Sequence, residues 1–136
     1  MKLEREKLQR LTKILKADSN VMLGYFFGSV AKGRENAKDV DIAIYLKKEV
    51  RGLNKLSYLT DLTAALERPL RRPGDLVILN GANSALCQQV LKYGILIFER
   101  KKGVAAKFAF NTMTRYFDYL EILNFFSSYG KKRKAE

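Results

Sequence analysis

Two short apolar runs separated by a polar loop constrain this 136-residue chain more than any other feature. Val21 to Phe27 is apolar, β-prone and too short for a typical helix, so it reads as a buried strand that ends at Gly28-Ser29. Residues 39 to 46 then alternate: Val40, Ile42, Ile44 and Leu46 point to one face, and Asp39, Asp41, Ala43 and Tyr45 to the other. The second run is thus expected to be a half-buried strand with two carboxylates on its second face. Between the runs, a short helical turn is expected, with Ser29 suited to cap it and Gly33 to stop it.

Around this pair the periodicity predicts helices. Residues 3 to 16 space Leu8, Leu11, Ile14 and Leu15 along one helical face. Residues 54 to 67 turn Leu56, Leu59, Leu62, Thr63 and Leu66 inward, with Pro69 and Pro73 punctuating the connection that follows. A third strand is expected over 75 to 79. A helix follows over 83 to 93, with Leu86, Val90 and Tyr93 on its stripe, and Gly94 separates it from a small strand over 95 to 98. The last helix, 104 to 127, carries Phe110, Met113, Phe117 and Leu120 on one stripe with Tyr116, Tyr119, Leu123 and Phe126 beside it, wider than core packing of one helix needs. The order predicts an α/β (α+β) fold, a small mixed β-sheet flanked by helices, in a single domain over 1–130 with a frayed basic tail over 131–136.

Composition removes several chemistries. The chain has no histidine, and Cys87 is its one cysteine, so intrachain disulfides, Cys/His zinc sites and a histidine general base are excluded. Lysine and arginine exceed aspartate and glutamate by 26 − 14 = 12, which favours anionic partners or simply keeps the chain soluble. No apolar run approaches the ~20 residues of a membrane span. The charged start, Met1 to Lys7, lacks the apolar stretch of a secretory signal, so a cytoplasmic location is expected.

What remains are carboxylates, hydroxyls, cations and backbone. Asp39 and Asp41, two apart on a strand, have α-carbons about 6.5–7 Å apart and point the same way. Like charges so close call for a hard divalent cation with oxygen ligands, and magnesium is the natural candidate. Such an ion keeps open positions for substrate phosphates. The Gly28-Ser29 turn complements it, because a glycine turn entering a helix offers backbone N–H groups to a phosphate. Lys32 and Arg34, on the same loop, either contact the polyphosphate or sit in solvent.

Taken separately, a D-x-D on a strand and a Gly-Ser turn are weak signals. Taken together, Phe27-Gly-Ser-Val-Ala-Lys-Gly-Arg34 followed by Asp39-Val-Asp-Ile-Ala-Ile44 closely resembles the signature of the DNA polymerase beta-like nucleotidyltransferases. The short length is similar to that of the minimal nucleotidyltransferases, antitoxin partners of HEPN-domain toxins. Gly74 to Asn80 resembles the family strand that bears a third carboxylate, which makes Asp75 the third metal-ligand candidate; the alternative is a turn residue after Pro73-Gly74. Two departures stand out: Lys38 occupies a position often held by serine, and nine residues separate Ser29 from Asp39.

The resemblance implies an enzyme that binds ATP with two magnesium ions on Asp39, Asp41 and Asp75 and passes AMP to a hydroxyl. The expected acceptor is a tyrosine of a partner HEPN ribonuclease toxin, brought in by the partner because one domain has no room for it. The competing expectations are action on RNA or another nucleic acid, suggested by the charge, and a non-catalytic antitoxin that works by contact alone.

Overall fold

The computed structural model describes residues 5–27, 40–71 and 73–135. Its elements run α1 (Arg5–Ala17), β1 (Val21–Phe27), β2 (Val40–Leu46), α2 (Gly52–Leu70), β3 (Gly74–Ile78), α3 (Ser84–Tyr93), β4 (Ile95–Glu99) and α4 (Val104–Ala135). The strands form one mixed sheet in the order β3-β2-β1-β4. β1 is antiparallel to both β2 and β4, whereas β2 and β3 run parallel. A parallel pair cannot be joined by a tight turn, so the 19-residue helix α2 carries the chain back between them.

The alternation expected of β2 holds, but both of its faces are covered. Ile42, Ile44 and Leu46 join Leu11 and Leu15 of α1 and Leu62, Leu66 and Leu70 of α2 in one cluster. Ala43 lies with Leu23 and Tyr25 in a second cluster, under Cys87 and Val90 of α3 and Phe108 of α4. Ala43 and Tyr45 on this face are compatible with water by their pattern alone; two helices that arrive from the far end of the chain bury Ala43 and partly cover Tyr45.

Several helical registers differ from expectation for packing reasons. In α2 the core positions are Leu62, Leu66 and Leu70, four apart, while Leu56 is 64% exposed on the first turns. The helix passes through Pro69, where only one late carbonyl loses its donor, because Leu70 gains full burial. It stops at Arg71 in the left-handed region. In α3 the small Cys87 faces inward with Val90, and Tyr93 turns outward. In α4 Phe108 and Thr112 face the sheet, Phe110 is exposed, and the backbone stays helical to Ala135, where a frayed tail was expected.

The end of the sheet where β2 finishes is closed by side chains that imitate backbone. The Asn20 amide donates to the Lys48 carbonyl at 3.0 Å and accepts from the Lys48 N–H at 2.8 Å. The Asn80 amide makes the same pair of bonds with Leu46, both at 2.8 Å. Arg100, just past β4, donates to the carbonyls of Val21, Leu15, Lys16 and Asp18, which caps the C-terminus of α1 with a cation and favours the helix dipole.

At the opposite end, Gly94 makes the sharp passage from α3 into β4. Its N–H donates to the Val90 carbonyl at 2.7 Å, and a Cβ there would collide with that carbonyl and lie 3.1 Å from the carbonyl of Phe26. Relief of that collision would displace the last residues of β1. Gly94→Ala is therefore expected to lower unfolding free energy by about 1–3 kcal/mol, the usual cost of overpacking, read as a lower midpoint in chemical denaturation. An unchanged midpoint would show that the turn has slack.

Candidate active site

The parallel register between β2 and β3 sets Asp41 directly beside Asp75. Lateral neighbours on adjacent strands share a face and sit about 4.8 Å apart, so the two carboxylates form one rung of the ladder. On its other side Asp41 pairs with Phe27, the last residue of β1. The chain therefore leaves β1 level with the carboxylates. Asp41 is half-buried and Asp75 exposed, and both belong to the sheet face that α3 and α4 cover further along.

Asp39, Gly28, Ser29, Lys32 and Arg34 lie outside the described residues. Among the described residues no group of three or more acidic, histidine or cysteine side chains gathers around a point. Asp41 and Asp75 are brought together, and Asp39 stands two residues before Asp41 in the chain. Like charges directly opposite one another on adjacent strands repel, so this rung suits a bound cation. Carboxylate oxygens are the donors that hard divalent ions such as magnesium take, so the donor set fits that metal.

The sole cysteine plays no part in this arrangement. Cys87 is buried on the inner face of α3, and burial pushes its thiol up from its ordinary value, opposed by the Arg115 guanidinium. Burial likewise raises the Tyr25 phenol, with the Glu99 carboxylate adding to it. Neither is activated as a nucleophile.

Glu67 is the residue the sequence reading missed. Its carboxylate accepts the Gly74 N–H at 3.1 Å, tying the end of α2 to the first residue of β3, next to Asp75. The available signal was electrostatic: an acid in the last turn of a helix opposes the helix dipole, so it calls for a donor elsewhere. Glu67→Ala is expected to cost about 1–2 kcal/mol of stability through the unpaired Gly74 donor. It should also lower turnover at the carboxylate rung while Glu67→Gln, which keeps an acceptor, retains most of it; equal rates for the two variants would remove Glu67 from positioning.

A family model described as polymerase beta, nucleotidyltransferase, matches residues 9–103. That span holds the whole sheet and the carboxylate rung. Solved structures agree in fold. A rebuilt complex of a tri-AMPylated HEPN toxin with an MNT antitoxin from Shewanella oneidensis is 23% identical, with a TM-score of 0.73, 93% of this chain covered and 97% of that one. A toxin–antitoxin structure with AMP-PNP is 24% identical over the same shares, with a TM-score of 0.73. A mutant of a toxin–antitoxin pair containing MntA reaches 25% identity and a TM-score of 0.74, again over 93% and 97%. No curated protein matches the chain. With the family match lying over the strands that pair Asp41 with Asp75, the chain belongs to the polymerase beta nucleotidyltransferase family.

Proposed function

We propose that this nucleotidyltransferase moves AMP from ATP to a hydroxyl of a partner protein, a tyrosine of a HEPN-domain toxin, and thereby acts as its antitoxin. The observation that carries the reaction is the rung of Asp41 and Asp75. The partner and acceptor rest on similar chains solved with a tri-AMPylated HEPN toxin and with AMP-PNP.

In this reading Asp39, Asp41 and Asp75 would hold two magnesium ions. Bound metal lowers the pKa of a hydroxyl and neutralises charge on the phosphates. Gly28 and Ser29 cradle the polyphosphate, and Lys32 and Arg34 neutralise it. The acceptor oxygen attacks the α-phosphorus, the bond to the bridging oxygen breaks, and pyrophosphate leaves with that electron pair. The hydroxyl proton passes to solvent through the Asp75 carboxylate. No histidine is required, in keeping with a chain that has none.

The far half of α4 supports a partner that brings the acceptor. Every residue from Phe117 to Tyr129 is exposed. Phe117, Leu120, Ile122, Leu123, Phe125 and Phe126 stand between 41% and 63% exposed and, at 100° per residue, surround the helix rather than forming one stripe. A helix apolar on all sides needs cover on all sides. No helix among the described residues is long and apolar enough to cross a membrane, so a protein partner is the cover this reading assigns.

Labelled ATP with magnesium, offered to the protein with a HEPN-type partner or with RNA, tests the proposal. Label on the partner is expected; label on RNA, or on neither, would overturn it. Asp41→Asn is expected to abolish transfer with the fold intact, a larger loss than the roughly 10–100-fold cost of losing an outer partner of a metal site. Asp75→Ala should slow transfer while ATP binding survives, and a parental rate would return Asp75 to a turn role.

A further inference from the structure

A cavity with a basic rim and an apolar floor lies at the other end of the sheet. It has a volume of about 320 Å³ and opens between β1, β2 and the first half of α4. Lys47 forms one wall just past β2, while Lys107, Asn111 and Arg115, four apart on α4, form a stripe along the other. The floor is aromatic: the ring of buried Phe108 packs against that of Tyr45 with centroids 4.9 Å apart. Met22 and Val104 complete an apolar side.

The charges in this cavity are all of one sign. Among the described residues no ion pair joins Lys47, Lys107 or Arg115 to a carboxylate. The cavity is also remote from the carboxylate rung: Asp41 and Lys47 are six residues apart along an extended strand, about 20 Å. One bound nucleotide at the rung does not explain it.

We propose that this cavity is a second nucleotide site, which takes a nucleoside di- or triphosphate. Three exposed cations around one cavity match a polyphosphate and can form charge-assisted bonds with it. The apolar and aromatic side receives the base, and the Asn111 amide offers both a donor and an acceptor to a base edge. The volume falls at the lower end of the roughly 300–1,000 Å³ typical of small-ligand pockets. Because its positive charge is carried by side chains, this site binds without a divalent ion, unlike the carboxylate rung.

Calorimetric titration of the full chain with AMP-PNP in excess chelator tests this. One nucleotide per chain is expected, with affinity at least about tenfold weaker in the Lys107→Gln/Arg115→Gln double variant, since both positions are exposed and each loses a charge-assisted bond. Tripolyphosphate should bind more weakly than AMP-PNP. Absence of binding in chelator, or affinity untouched by the double substitution, would overturn the site. Equal affinity for tripolyphosphate would overturn its assignment to a nucleotide. Transfer activity with magnesium is a separate readout, so failure of the transferase reading leaves these outcomes intact.

Discussion

The parallel pairing of β2 with β3 is the constraint on which the rest depends. It requires a crossover, and α2 supplies one whose Leu62, Leu66 and Leu70 fill one side of the sheet. It also places residues level across the two strands, which is how Asp75 comes to stand beside Asp41. A shift of one residue would send every side chain of β3 to the opposite face, taking Asp75 away from Asp41 and Leu76 out of the core. The carboxylate rung and the hydrophobic cluster are therefore secured by the same register, and burial of Leu76 and Ile78 beside that cluster enforces the placement of an exposed acid.

The sheet has two unlike ends. At one, Asn20 and Asn80 continue the ladder with side-chain amides and Arg100 gathers four carbonyls, so backbone polar groups are satisfied where the strands run out. At the other, two like charges share a rung, an arrangement that by itself costs stability. Such local conflict is typical of functional sites, where structure elsewhere offsets it. Glu67 shows the coupling in one residue: it sits unfavourably at a helix C-terminus and spends its carboxylate on the backbone donor next to Asp75.

Helix α4 divides in the same way. Its first half belongs to the domain, with Phe108 against Tyr25 and Tyr45. Its second half makes no core of its own and carries aromatic and aliphatic groups on all sides. Both the basic stripe and the apolar shaft lie on this one helix, so a partner that envelops the shaft approaches the cavity walled by Lys107 and Arg115.

Much of this was legible in the amino-acid sequence by itself. The apolar run at 21–27 and the alternation over 40–46 determined β1, β2 and the Asp41 carboxylate that β2 carries, because side-chain period reports strand faces locally. The absence of histidine removed a histidine general base and left carboxylates, hydroxyls, cations and backbone as the groups available for chemistry. Resemblance singled out Asp75, but neither spacing nor composition could place it beside Asp41, because 33 intervening residues and a crossover separate them. The tertiary structure decided that, along with burial of Ala43 by distant helices, inward rotation of Cys87 over Tyr93, and the exposure of Leu56 and Phe110. Periodicity states which residues share a face; only packing decides which face meets protein and which meets water.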